Sequence, residues 1–252
     1  MRELEEKREE LIALSHELGA GHRDLAILGE GNTSAKIDEE TFIVKVSGSS
    51  LGTLGASDIV ECRSTPLIAM LDRNDLIDQQ IEDQLHGSRV DPSGGKPSVE
   101  ALFHAWLLSL PGVEYVGHTH PGSVNRILCS ARAIEFATRR MFPDEVVFCG
   151  VESVFVPYSD PGLKLAQYIR SETRAFMRKH GVLPRVILLE NHGIITIGPT
   201  PQAVKASTFM TAKAAGIFTD AALLGGPQFL SDSDVDLIAH RLDENYRPRA
   251  LK

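Results

Sequence analysis

Apolar and polar positions alternate along the chain in short blocks of two periods. Leu4, Leu11, Ile12, Leu14 and Leu18 recur among charges at helical spacing, which predicts an amphipathic helix from residue 2 to about 19, ended by Gly19-Ala20-Gly21. Gly29–Ser34 reads as a turn feeding two β-like runs, Ala35–Ile37 and Thr41–Val46, joined by an Asp38–Glu40 turn. The loop Ser47-Gly48-Ser49-Ser50 follows. Ile59, Val60 and Cys62 predict a short strand behind Ser57-Asp58, and Pro66 to about Arg89 reads as a helical, acidic, solvated segment carrying Asp75, Asp78, Glu82 and Asp83. Beyond the loop cluster Asp91–Pro97, one stripe of Val99, Leu102, Phe103, Trp106, Leu107 and Leu110 predicts a helix over Ser98–Leu110. Ser98 is placed to be its N-cap, and Pro111-Gly112 stops it.

An apolar run then ends in Val116-Gly117-His118-Thr119-His120-Pro121-Gly122. The pattern after it predicts a helix from Ser123 to about Ala133, β-like runs at Val146–Cys149 and Val154–Val156, and an amphipathic helix from about Gly162 to Lys179. A strand over Val186–Ile197 is interrupted by the polar Glu190-Asn191-His192. Thr200-Pro201 opens a long helix running to Gly225-Gly226, with proline at its first position, and Ser231 or Ser233 caps another. The chain shows no internal repeat, and the loop at residues 91–97 reads as a connection within one domain spanning 1–252.

The two histidines one residue apart change the picture from fold to chemistry. Side chains alternate across a strand, so His118 and His120 point the same way, and Pro121-Gly122 leaves both imidazoles at the strand's end. His192 is the best candidate for a third ligand, because a histidine inside a β-rich apolar run is otherwise costly. Imidazole suits zinc and other first-row metals, and three protein ligands with an open position describe a catalytic site. Asn32, Glu100 and Asn191 are polar companions. Glu100 taken alone also fits a residue that merely starts a helix, where the dipole favours a carboxylate.

Composition narrows the function classes. The 252 residues are 42% hydrophobic and 24% charged, the balance of an ordinary globular protein long enough for a full core. A formal net charge of -8 argues against general binding of nucleic acid or of an anionic membrane surface. Cys62, Cys129 and Cys149 are unpaired in spacing and read as reduced core thiols. The charged N-terminus and the lack of a membrane-length apolar run predict a cytoplasmic protein. His16, His22, His86, His180 and His240 read as solvated. His104 lies one helical turn after Glu100 and is expected on the same side, either as its partner or at the surface.

Taken in order, Gly31-Asn32-Thr33-Ser34, Ser47-Gly48, Pro97-Ser98-Val99-Glu100, His118-Thr119-His120-Pro121 and Asn191-His192-Gly193 resemble the motifs of the class II sugar-phosphate aldolase and adducin head family. The resemblance runs from about Glu5 to Leu224. It implies a three-layer α/β/α sandwich with a central, mostly antiparallel sheet, one divalent metal per subunit, zinc above all, and a cyclic homotetramer. It further implies that His118, His120, His192 and Glu100 hold the metal, that Glu100 then acts as acid or base, and that Asn32, Ser47, Gly48 and Ser98 surround a substrate phosphate. Tyr246, in the tail, is the position that corresponds to a proton-donating tyrosine of some family aldolases.

The activity implied is cleavage of a ketose 1-phosphate, of the fuculose or rhamnulose type, to dihydroxyacetone phosphate and an aldehyde. A pentulose phosphate 4-epimerase is the nearest rival, although such epimerases typically carry aspartate where this chain has Glu100. A dehydratase or decarboxylase of a related sugar phosphate or sugar acid stays open, as does a non-catalytic adducin-like interaction module, which the retained histidines and glutamate argue against. Two departures bear on the substrate. Val99 stands where many relatives have a second serine, and the stretch from Gly48 to Pro97 is longer than in short fuculose phosphate aldolases. Its Gly52-Thr53-Leu54-Gly55 is similar to the aldolase half of fused rhamnulose phosphate aldolase proteins, whose dehydrogenase domain this chain is too short to include.

Overall fold

The computed structural model describes residues 2–241. In chain order these form α1 (Arg2–Leu18), β1 (Asn32–Lys36), β2 (Thr41–Lys45), β3 (Ile59–Arg63), α2 (Ser64–Met70), α3 (Asp78–Ser88), α4 (Ala101–Leu108), β4 (Tyr115–Thr119) and α5 (Gly122–Leu128). There follow α6 (Ala133–Thr138), α7 (Pro143–Cys149), β5 (Val154–Val156), α8 (Leu163–His180), β6 (Val186–Leu189), β7 (Gly193–Gly198), α9 (Pro201–Leu223) and α10 (Asp232–His240). The strands make one seven-stranded sheet in the order β3-β2-β1-β4-β7-β6-β5. Every neighbouring pair is antiparallel except β5 with β6. The expected mostly antiparallel α/β fold is thus observed.

Strand alternation divides the core between two faces. Phe42, Val44, Val116, Ile187, Leu189, Ile195 and Ile197 face α2, α4 and α8. Residues of opposite parity face the other way: Ala35, Ile43 and Tyr115 meet α1, while Val186, Leu188 and Ile194 meet α5 and α9. The helix α4 is buried at every residue from Ala101 to Leu108. A helix apolar all round must be covered all round, and sheet, α2 and α8 supply that cover. The stripe read from the sequence is one side of a wholly enclosed rod, and its one polar residue, His104, is enclosed with it.

Several boundaries differ from expectation for local reasons. Val186–Ile197 is a hairpin of two strands, because Asn191 adopts a left-handed conformation (φ 55°) and the His192 N–H donates to the Leu189 carbonyl at 3.1 Å. Val146–Cys149 is helical, being the end of α7, which Pro143 opens at a position that needs no N–H. The segment from Pro66 to Arg89 splits into α2 and α3, and that after His120 into α5 and α6. Strand β1 begins at Asn32, inside what reads as a turn. Cys62 and Cys149 are buried, but Cys129 is exposed rather than a core thiol. The caps of α9 and α10 are as expected, with Thr200 and Ser231 hydroxyls accepting from Ala203 and Asp234 N–H groups at 3.2 Å each. Among the described residues no helix is long and apolar enough to cross a membrane.

Candidate active site

The central strands β1, β4 and β7 meet at one end of the sheet, and their register assembles the site. Asn32 on β1 lies opposite His118 on β4, which lies opposite Ile195 on β7. His120 follows two residues later, just past β4, and the β6–β7 hairpin turn delivers His192 from the other side. The three imidazoles cluster with ring centroids 4.7 to 5.0 Å apart. One ligand-capable atom from each lies within 4.8 Å of the others. Glycine is required at two of the approaches. A Cβ on Gly31, whose φ is +71°, would come within 2.5 Å of the His118 carbonyl oxygen, and one on Gly193 within 2.7 Å of the His120 ring.

Glu100 completes the cluster from the other layer. It occupies the N-cap position of α4, where the helix dipole favours its charge, and its Oε1 lies 3.4 Å from His118 Nε2 and 3.5 Å from His192 Nε2. The other oxygen, Oε2, accepts a hydrogen bond from the Asn32 side-chain amide. His118 and His120 bring their Nε2 atoms within 3.0 Å of each other. Two lone pairs at that distance repel unless a proton or a cation sits between them. His118 Nδ1 faces the Ile194 carbonyl at 2.9 Å, so an N–H there donates to it and leaves the Nε2 lone pair free for a metal.

Charge in this pocket is strongly coupled. Burial pushes the Glu100 carboxyl up, but His118, His192 and His104 outweigh it and bring it down to about 2. Burial pulls His118 down, yet the Glu100 carboxylate and the Ile194 carbonyl hold it above the ordinary range. His120 falls to about 3 and His192 to about 4, through burial and the neighbouring His118. A carboxylate and neutral imidazoles turning nitrogens toward one point form a donor set suited to a divalent cation, which would take the place of the proton on His118.

A second cluster lies beside the first. Val46 bridges to Pro97, and the Ser47 N–H donates to the Lys96 carbonyl at 2.8 Å, which brings the Ser47-Gly48 loop against Pro97-Ser98. A Cβ added to Gly29 would meet the Gly48 carbonyl at 3.5 Å, so the turn before Asn32 also touches this loop. Ser98 is not the N-cap of α4. Its hydroxyl is buried without a hydrogen-bond partner, and such an orphan needs an explanation.

The structure changes two of the earlier assignments, those of Asn191 and His180, and settles the one left open at His104. Asn191 is an exposed hairpin residue and not a companion of the cluster. His104 is wholly buried beneath Glu100, stacked on Phe103 with its Nδ1 2.7 Å from the Ser34 hydroxyl, and burial lowers it to about 3. His180 is tied to Glu152 at 2.6 Å instead of being solvated. Tyr246 lies outside the described residues.

The sequence reading missed Lys45. It is 1% exposed, and its ammonium donates to the Ser49 carbonyl at 2.7 Å and to those of Gly29 and Val46 at 3.4 Å each. Burial lowers its pKa against the pull of Glu100 and Asp58. One cation thus stitches the turn before Asn32 to the Ser47-Gly48 loop. The available signal was a lysine ending the apolar run Phe42-Ile43-Val44, where no solvent-facing alternation required one.

With this geometry in view, residues 9–219 match the Class II Aldolase and Adducin N-terminal domain family. Among curated relatives, the uncharacterized oxidoreductase YuxG of Bacillus subtilis is 30% identical over 79% of this chain, which spans only 28% of that longer protein. The methylthioribulose-1-phosphate dehydratase of Pseudomonas aeruginosa strain UCBPP-PA14 is 29% identical over 66% of this chain and 72% of its own. The 3-oxo-tetronate 4-phosphate decarboxylase of Haemophilus influenzae is 30% identical over 70% of both. Among solved structures, the N-terminal class II aldolase domain of a conserved Thermoplasma acidophilum protein superposes with a TM-score of 0.66 at 28% identity, covering 83% of this chain and 92% of that one. An L-fuculose 1-phosphate aldolase superposes at 0.71 with 18% identity, over 94% and 96%, which shows a shared fold. The motifs met one by one along the sequence, the sheet that gathers them and a match across most of the chain carry one conclusion: this protein belongs to the class II aldolase and adducin N-terminal domain family.

Proposed function

We propose that the protein is a metal-dependent lyase that cleaves a ketose 1-phosphate, such as fuculose or rhamnulose 1-phosphate, into dihydroxyacetone phosphate and an aldehyde. The observation that carries this reading is Glu100, a largely buried, ionised carboxylate held by Asn32 within 3.5 Å of two histidine Nε2 atoms. Three imidazole nitrogens and a carboxylate oxygen suit zinc, which we assign to His118, His120, His192 and Glu100. A divalent ion bound there supplies a Lewis acid for charge developing on the substrate's carbonyl oxygen.

The protein's own groups do the rest. In the cleavage direction the proton of the hydroxyl beside the breaking carbon–carbon bond passes to Glu100, the electron pair of that bond moves toward the carbonyl, the aldehyde departs, and Glu100 returns the proton to carbon. In the addition direction Glu100 removes that proton, and its ionised state at neutral pH is the one a base requires. Asn32 fixes the orientation of the carboxylate. Ser98, Ser47 and Gly48 form the phosphate cradle, in which backbone amides and hydroxyls suffice as donors. We read the working assembly as a cytoplasmic homotetramer.

A second reading, loss of carbon dioxide or water from a phosphorylated sugar or sugar acid, is favoured by the decarboxylase and dehydratase relatives at 29–30% identity. All three reactions build negative charge beside a carbonyl, so one site architecture serves each. Incubating the metal-loaded protein with a panel of ketose phosphates and 3-oxo sugar-acid phosphates separates them by product. Release of dihydroxyacetone phosphate supports cleavage, whereas carbon dioxide or a dehydrated sugar phosphate without it overturns that assignment.

The orphan hydroxyl gives a sharper test of the cradle. Ser98→Ala removes a buried group that has no partner, so the melting temperature should hold or rise slightly. Affinity for a phosphorylated substrate analogue should fall roughly 10- to 100-fold, as for a lost hydrogen bond to a charged group. Calorimetric titration showing unchanged affinity would remove Ser98 from the phosphate site.

A further inference from the structure

Each histidine of the cluster presents Nε2 inward, and the three differ in what meets the outward Nδ1. For His118 it is the Ile194 carbonyl, and for His192 the Nδ1 atom is buried with no partner. For His120 it is a carboxylate: Glu30 Oε1 lies 3.8 Å from His120 Nδ1, a little beyond hydrogen-bond distance. Glu30 belongs to the turn before Asn32 and has no part in the metal or phosphate sets assigned above.

The loop that carries Glu30 is built to hold it there. The Glu30 N–H donates to the Ile27 carbonyl at 3.0 Å, and the Ile27 N–H donates to Glu30 Oε2 at 3.0 Å, so the turn closes on the carboxylate from both ends. Oε1 is left facing His120. Within this short loop two side-chain-bearing residues adopt the left-handed region, Asp24 (φ 52°) and Leu28 (φ 53°). For Leu28, which is 83% exposed, no burial of its side chain compensates. Unfavourable backbone of this kind persists where surrounding contacts impose it, and it concentrates at functional sites. The imposing contacts run to His120 itself: its N–H donates to the Leu25 carbonyl at 2.8 Å, and the Gly122 N–H donates to the Asp24 carbonyl at 3.2 Å. The loop therefore grips the backbone of the histidine whose ring its carboxylate faces.

We infer that Glu30 is a positioning residue for His120, its carboxylate accepting the Nδ1 proton and so fixing the ring orientation and tautomer that present Nε2 to the metal. The inference rests on the reading of the three histidines as metal ligands. A carboxylate in this place orients the ligand, raises the basicity of the ligating nitrogen and adds negative charge beside the cation. Partners of this kind typically contribute 10- to 100-fold to metal affinity.

The test is zinc affinity of the full chain, measured by competition with a chromophoric chelator, for wild type, Glu30→Ala and Glu30→Gln. Glu30→Ala is expected to weaken zinc binding 10- to 100-fold. Glu30→Gln keeps an oxygen to accept from the Ile27 N–H and so preserves the turn, but it removes the charge. It is expected to bind zinc several-fold more weakly than wild type, and cobalt-loaded protein should show a shifted visible absorption band. Zinc affinity and cobalt spectrum both unchanged in Glu30→Gln would reduce Glu30 to a turn residue and overturn the inference alone. A wild-type protein that holds no divalent ion would instead overturn the reading of the three histidines, and this inference with it.

Discussion

Glu100→Gln is expected to lower turnover by roughly 10²- to 10⁴-fold, the usual contribution of a positioned acid–base group. The change is nearly isosteric, and a glutamine oxygen can still accept from the Asn32 amide, so the start of α4 and its packing survive. What is lost is the charge between His118 and His192. If Glu100 served only to stabilise the helix start, the variant would lose a few tenths to about 1 kcal/mol of stability and keep its turnover. Two readouts separate these roles. Thermal unfolding reports the first, and exchange of carbon-bound protons of dihydroxyacetone phosphate in deuterated water, followed by NMR at saturating metal, reports the second. Exchange at the wild-type rate in Glu100→Gln would assign the proton transfer to another group and remove Glu100 from the mechanism.

His118→Ala should abolish practical metal retention, with affinity falling on the order of 10³-fold when one of three imidazole ligands is removed. From the sequence, the energy of this motif resides in the bound ion. The structure adds a second component. His118 is 0% exposed, meets the Phe103 ring edge-on at a centroid distance of 5.7 Å and bonds the Ile194 carbonyl. Deleting the ring leaves a small cavity and an unsatisfied carbonyl, together worth about 1–3 kcal/mol. The folded variant should therefore persist at room temperature with a lowered melting temperature. Elemental analysis of the purified, folded variant checks the point, and metal content equal to wild type would exclude His118 as a ligand.

What could be read from the sequence followed from short-range regularities. Alternation along Val116–His120 placed two imidazoles on one face, and the His118 and His120 Nε2 atoms lie 3.0 Å apart. Thr200-Pro201 marked the start of α9 because cap and first-turn chemistry are local. Local pattern failed where a long-range contact decided the matter. Val186–Ile197 has the composition of one strand, and only the left-handed Asn191 makes it a hairpin that swings His192 to the cluster. His104 stayed open between partner and surface because nothing nearby in sequence announces that α8 and α2 close over α4. Lys45 and Glu30 escaped notice for a related reason. A charged residue in a turn or at a strand end is ordinarily solvated. What gives these two their place is a cluster of loop carbonyls folded back over Lys45 and, for Glu30, a histidine ring from a distant strand.

The register that sets Asn32 against His118, and β7 against β4, has a consequence for how the molecule reaches its native state. The groups that converge on the cluster sit at positions 32, 100, 118, 120 and 192, so none of its approaches is closed by a hairpin between sequence neighbours except the turn bearing His192. Loops of that size are slow to close, and nothing rewards their closure until β1, β4 and β7 are paired. A cation can find at most the His118–His120 pair in the unfolded chain, too few ligands to hold it. At the proposed metal site, a cation is therefore expected to bind after the central strands have paired and not to template the fold. Its influence falls on the reverse process: each bound ion must leave before those strands separate, so metal should slow unfolding far more than it speeds refolding.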